Sequence, residues 1–369
     1  MGFAMRAWIW AAWLGAACTP QLPVDDKADG TVDSGADGAD GGGADGADGT
    51  DGADGADGAD GADGADGTDG ADGTDGTDGA DGTDGTDGTD GTDGTDGGGS
   101  DGGDGGSDPG PDYRAAGPAS VSTTTGETRV ESDCTLSWTR YTPAGGASGP
   151  RVIVSHGFSR AAAQMAGWGE HFASWGFEVV IPGLCFSQFW NADHSRNADN
   201  LVALNAALGG GDVVYVGQSA GGLASWLAAD RDPDALGAVG LDGVDSGDLG
   251  IDAAPSFATP VYGVIGEPGS CNANSNGAAV YDAAPDATAL RVVGTDHCDY
   301  EWETDWGCTL LCENGSPPFP DDETRPALRG LAVAGVVALG GSAAAHAAWW
   351  EPGGAWYEVL DGAGYLSAP

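Results

Sequence analysis

The chain has 369 residues, with 58 Asp and Glu against 12 Lys and Arg, a formal net charge of −46 at pH 7. So acidic a balance excludes nucleic acid and anionic membrane as partners, because both would be repelled, and it favours solubility. The average also mixes two unlike materials, which separate in chain order.

Residues 1–18 read as an export signal: Arg6 precedes the apolar run Ala7 to Leu14, and Gly15-Ala16-Ala17-Cys18 follows. Small residues before a cysteine at the end of a short apolar run are similar to a bacterial lipobox, in which Cys18 becomes the lipidated new N-terminus and a lipid anchor. Leu14 stands one place further from Cys18 than the usual pattern has it. Cleavage with full secretion and an uncleaved anchor are the alternatives. The expected location is the outer cell surface or the medium.

Residues 19–112 follow, and from about Asp25 they are almost only Gly, Asp, Ala and Thr. Without bulky apolar side chains this stretch cannot offset the entropy of ordering itself, so a disordered linker is expected. From Gly43 to Gly97 glycine recurs at every third place, as Ala-Asp-Gly and then Thr-Asp-Gly. Period three invites a collagen reading, but the tract lacks Pro and would stack uncompensated aspartates in a triple helix. Flexible Asp-Gly units also fail to preorganise the oxygens that calcium needs. The expectation is a charged spacer extended by its own repulsion.

Residues 113–369 have ordinary hydrophobicity and most of the tryptophans, which suits one sizeable α/β domain. Val130 to Tyr141 alternates polar and apolar residues as an antiparallel edge ribbon would. Arg151 to Ser155 is a short β-rich run ending in His156-Gly157-Phe158, and Phe177 to Ile181 is another, with a helix expected over Ala161 to Trp175 between them. A helix fits Ala198 to Leu208. Asp212 to Val216 is then a strand, Gly222 to Ala229 a helix, and Ala238 to Leu241, Val261 to Ile265 and Leu290 to Val293 are further strands. This alternation predicts a mostly parallel central sheet with helices on both faces. Leu328 to Ala347 is expected as a terminal sheet-covering helix. The uncharged stretch around it is too rich in Ala and Gly, and too interrupted by Ser342 and His346, for a membrane span.

Between the strand at Val216 and the helix at Gly222 lies Gly217-Gln218-Ser219-Ala220-Gly221. A serine hydroxyl is a poor nucleophile unless a sharp turn holds it out, where a histidine can take its proton and amides can face the oxyanion. Glycines on either side relieve the collision of strand with helix. The plain alternative is a Gly-Ser turn.

Cys134, Cys185, Cys271, Cys298, Cys308 and Cys312 make an even six in an exported domain. Up to three disulfides are expected, with 15 pairings open. Bridges among the last four would brace the loop around His297; a zinc site competes, but the spacing lacks a C-x-x-C pair.

His156-Gly157-Phe158, Gly217-Gln218-Ser219-Ala220-Gly221-Gly222 and Gly240-Leu241-Asp242-Gly243-Val244-Asp245, in this order and strand context, resemble the α/β-hydrolase superfamily from about Ser120 onward. Within it the chain is similar to the chlorophyllase, cutinase and polyester-hydrolase-like serine esterases. The resemblance implies a nucleophile, an acid and a base in that chain order, each beyond a strand end. Ser219 is then the nucleophile. His156, His171 and His194 precede it and His346 sits in an Ala-rich helical stretch, which leaves His297 as base.

The Gly-Leu-Asp context makes Asp242 the first candidate for the acid, with Asp245 and Glu267 as rivals. The resemblance also assigns the oxyanion hole to the amides of Ala220 and Phe158, with the Phe158 ring against the acyl group, and leaves His156 a structural role. Phe189 and Trp190, beyond a strand end, are candidates to line an acyl pocket. Asp193 and His194 suggest a metal pair less well than a helix start. The expected function is an exported serine hydrolase of small-molecule or polymeric carboxylic esters, working as a monomer without cofactor or metal. A non-catalytic binding module on the same fold and an acyltransferase using the same residues are the alternatives.

Overall fold

The computed structural model describes residues 109–312 and 317–369, so the export signal, Cys18 and the repeat tract lie outside the described residues. The described chain opens with a hairpin, β1 (Val121–Glu131) and β2 (Cys134–Pro143), paired antiparallel along its length. In β2 the side chains of Cys134 and Leu136 are buried while Thr135 and Ser137 are exposed, the period of two that a half-buried strand requires. The ribbon starts at Val121 rather than Val130. Ser122 to Thr125 are all exposed and polar, so the first half of β1 has no apolar alternation to announce it.

Six further strands build the centre and one closes it: β3 (Arg151–Ser155), β4 (Val179–Pro182), β5 (Val213–Gln218), β6 (Ala235–Leu241), β7 (Val261–Ile265), β8 (Ala287–Val292) and β9 (Leu366–Ser367). Their order in the sheet is β1-β2-β4-β3-β5-β6-β7-β8-β9. Pairing is parallel from β4 across to β8 and antiparallel at both margins, where β2 joins β4 and β9 joins β8. The chain is therefore an α/β protein with a nine-stranded, mostly parallel sheet.

The strands are apolar on both sides, as a sheet covered twice must be. Val152 and Val154 of β3, with Val214 and Val216 of β5, enter one core; Ile153 and Tyr215 between them enter the other. The first core is closed by α1 (Ala166–Ser174), α7 (Asp321–Leu339), α8 (Ala343–Trp349) and α9 (Ala355–Gly362). The second is closed by α2 (His194–Ala207), α3 (Ala220–Arg231) and α5 (Ala278–Ala283). Two short helices, α4 (Leu249–Ala253) and α6 (Trp306–Cys312), lie in loops beyond strand ends.

The single helix expected over Leu328 to Ala347 is two helices, α7 and α8. Gly341 breaks it with φ of +100°, a left-handed conformation open to glycine, and the Ser342 side chain then caps α8 by accepting from the Ala345 amide. Among the described residues no helix is long and apolar enough to cross a membrane.

Three disulfides form: Cys134–Cys185, Cys271–Cys312 and Cys298–Cys308. The sulfurs of Cys298, Cys308 and Cys312 lie within 4.8 Å of one another, but each is already bonded to another sulfur. A zinc ion needs thiolates, so the zinc alternative is corrected to a pair of bridges.

Candidate active site

Strand β5 delivers Ser219 at its carboxyl end, directly before α3. The serine has φ of 58° and ψ of −129°, a strained turn for a residue with a side chain. The two flanking glycines are required by contact. A Cβ on Gly217 would lie 2.1 Å from the Gly221 carbonyl oxygen, and one on Gly221 would lie 2.5 Å from the carbonyl oxygens of Ser155 and His156. The elbow is pinned from the next strand as well, since the Ser219 amide donates to the Leu241 carbonyl at 3.1 Å and the Val244 amide donates to the Ser219 carbonyl at 3.1 Å.

Asp242 directly follows β6, the neighbouring strand, and is itself turned to φ of 47°. Its carboxylate is 1% exposed and lies 2.6 Å from Nδ1 of His297. It also accepts from the Gly266 amide at 3.0 Å and from the Asn272 side-chain amide at 3.1 Å, so a buried charge has its lone pairs engaged. Because a carboxylate can only accept here, Nδ1 carries a hydrogen, and in a neutral ring Nε2 is then the accepting nitrogen.

His297 opens a 3-10 turn (His297–Tyr300) beyond β8 and is buried. Two bridges brace that turn: Cys298 to Cys308, and Cys271, next to Asn272, to Cys312. Arg160 from the loop after β3 reaches across to the buried Glu301 at 2.6 Å and to Asp305 at 3.0 Å. Within the turn, burial pushes the Asp299 carboxyl up to about 6 although Arg325 is 3.0 Å away.

The rivals for the acid are placed elsewhere. Asp245 accepts from the amides of Gly250 and Ile251 at 2.8 and 3.1 Å, in the first turn of α4. Glu267 accepts from the Gly294 amide at 3.2 Å and makes no hydrogen bond to His297. The structure thus brings Asp242 and His297 together and leaves Asp245 and Glu267 in turn-holding roles.

Among the described residues, the side-chain hydrogen bonds of His297 go to Asp242 and Gln218, and none joins it to the Ser219 hydroxyl. The neighbour of Nε2 is instead the side-chain nitrogen of Gln218, at 3.2 Å, which also lies 3.4 Å from the His297 carbonyl.

Among the described residues neither Phe158 nor Ala220, the two amides expected to face an oxyanion, donates a backbone hydrogen bond. Ala220 is the first residue of α3, where amides lack intrahelical acceptors and the helix dipole is positive. Phe158 follows Gly157, whose missing side chain would otherwise lie 2.9 Å from the Ser219 Cβ. His156 holds this loop, with Nδ1 donating to the Gly157 carbonyl at 2.9 Å and Nε2 accepting from the Leu184 amide at 3.0 Å. Burial pushes its imidazole down to about 4, so it stays neutral and structural.

Phe189 and Trp190, in the loop after β4, are 63% and 78% exposed, so they are not core residues. Asp193 is the cap of α2, accepting from the Arg196 amide at 3.0 Å, which accounts for it without a metal. Sequence reasoning missed Gln218, Asn272 and the Arg160 bridge; an Asn beside a cysteine carries no signal of the carboxylate it will hold. No protein-family model and no curated protein matches this chain.

Proposed function

We propose that the chain is a serine hydrolase of carboxylic esters, of the α/β-hydrolase type. The reading is carried by the 2.6 Å contact of Asp242 with His297 Nδ1, together with a serine held at positive φ between a strand and a helix. In this account Ser219 Oγ attacks the ester carbonyl carbon and its proton passes to His297 Nε2. Asp242 keeps the ring in the accepting tautomer and stabilises the imidazolium. The amides of Ala220 and Phe158 hold the tetrahedral oxyanion. The imidazolium then protonates the leaving alkoxide, and water repeats the sequence on the acyl-enzyme.

The substrate side is proposed to be apolar, because Phe189 and Trp190 are presented to solvent beyond the end of β4. Three disulfides fit an oxidising compartment, which supports export. The test is hydrolysis of a p-nitrophenyl acyl series from about C2 to C16. Turnover should vanish in Ser219→Ala and His297→Ala. Turnover that survives Ser219→Ala, or none at any chain length in a folded sample with its disulfides intact, would remove the proposal.

A further inference from the structure

We propose that Gln218 is a positioning residue that caps the base: its side-chain amide occupies Nε2 of His297 in the resting protein, and the Ser219 hydroxyl must displace it to react. The inference rests on the esterase reading and adds a participant to it.

The orientation of the amide follows from its neighbours. Nδ1 of His297 donates to Asp242 at 2.6 Å, so in the neutral ring Nε2 can only accept. The His297 carbonyl oxygen also only accepts. Both face the same end of Gln218, at 3.2 and 3.4 Å, and only the NH2 end has hydrogens for both. The reversed amide would set one oxygen against another.

That choice leaves a mark on the far side. Gln218 is 1% exposed, and its Oε1 is buried with no hydrogen-bond partner among the described residues. A buried acceptor left unmade is a cost, and one that a native fold keeps for a reason. Space for the oxygen comes from Gly157, where a Cβ would lie 2.4 Å from it.

The arrangement is matched to one protonation state. A donor on Nε2 pairs with the neutral imidazole, whose Nε2 accepts, and finds no acceptor in the imidazolium, whose Nε2 carries a hydrogen. Once the Ser219 proton has reached Nε2, that nitrogen is itself a donor and the amide hydrogen can no longer sit there. Gln218 therefore holds the His297 ring in orientation until substrate arrives, then yields the place to Ser219. The ionisable groups on the surrounding elements include His156 and Arg160 after β3, Asp242 and Asp245 after β6, Glu267 after β7, Arg291 on β8, Asp296, Asp299, Tyr300 and Glu301 on or next to the histidine's own turn, and Arg325 on α7. Each stays unchanged when only Gln218 is varied.

The experiment is the titration of His297 in the full chain, followed by NMR of nitrogen-labelled histidine and assigned by the signal lost in His297→Asn. The acid limb of kcat/KM is measured beside it. In Gln218→Met, which keeps the bulk and loses the donor, the midpoint and the limb should both rise by about half a unit to one unit. In Gln218→Glu, whose carboxylate accepts from the imidazolium, they should rise further. A midpoint that stays put or falls in the folded variants overturns the proposal. Should Gln218→Met not fold, the rise in the isosteric Gln218→Glu decides alone.

Labelling of wild-type Ser219 by a fluorophosphonate separates the two claims. A labelled serine with an unmoved titration sinks the cap and spares the esterase. An unlabelled serine with a raised titration sinks the esterase and leaves the amide on the base.

Discussion

Ser219 holds a backbone conformation that costs a residue with a side chain about 1–3 kcal/mol, and such strain persists only where the surroundings over-determine it. Here the surroundings are two glycines in backbone contact and two hydrogen bonds to the strand and loop of β6. The same strand end fixes Asp242, whose three protein donors leave it no freedom to serve elsewhere. Asp242→Asn should therefore lower kcat by roughly 10³- to 10⁴-fold by favouring the wrong tautomer of His297, while Glu267→Gln should stay within a few-fold of wild type. Steady-state rates with one p-nitrophenyl ester decide it, and the reverse ranking would move the acid to β7. Ser219 and His297 were legible in the sequence because each follows an apolar strand, in an order that few other residues satisfy. The partner of His297 was only half legible: Asp242, Asp245 and Glu267 all follow strands, and what separates them is which donors each accepts from. Gln218 gave no sign at all, since its role depends on a histidine 79 positions away.

At the scale of elements, α1 carries a buried imidazole in its last turn. His171 donates to the Tyr113 carbonyl at 3.0 Å, and burial pushes its pKa down to about 4. A histidine depressed from about 6.5 in the unfolded chain adds stability that is present above 6.5 and is lost as pH falls toward 4. Between pH 7 and pH 4 the wild type should lose on the order of 3 kcal/mol more than His171→Gln, which keeps a donor and cannot titrate. Urea melts at the two pH values measure this difference, and equal losses would show that the ring is protonated in the fold.

The bridges divide labour in a similar way. Cys134–Cys185 closes 51 residues and Cys298–Cys308 only 10, so replacing each pair by Ala should cost roughly 4 and roughly 3 kcal/mol respectively. Activity should fall in the opposite order, because the shorter loop begins next to His297. Equal activity losses would mean that the short bridge does not brace the base. Strands β3 to β8 were legible as apolar runs, but the polar start of β1, the two-residue β9 and the break at Gly341 were not. Those depend on pairing with distant partners or on one glycine's φ rather than on periodicity.

The whole chain carries 58 acidic and 12 basic residues, and a field of that sign would disfavour an anionic substrate. An ester with an anionic acyl group should be hydrolysed with kcat/KM at least tenfold below that of a neutral ester of equal length at low salt, and the gap should narrow several-fold near 1 M salt, where the Debye length falls to about 3 Å. A salt-independent ratio would show that the acidic groups do not reach the site. The α/β class was legible at this scale from the alternation of strands and helices alone. Which three of the possible disulfides form was not, because pairing depends on how the loops beyond the strand ends come together. The most direct test of the account is mass spectrometry of the full chain after reaction with a fluorophosphonate. A single adduct on the peptide containing Ser219, absent in Ser219→Ala and much slowed in His297→Ala, is the predicted result. An adduct on another residue, or none in folded protein, would contradict it.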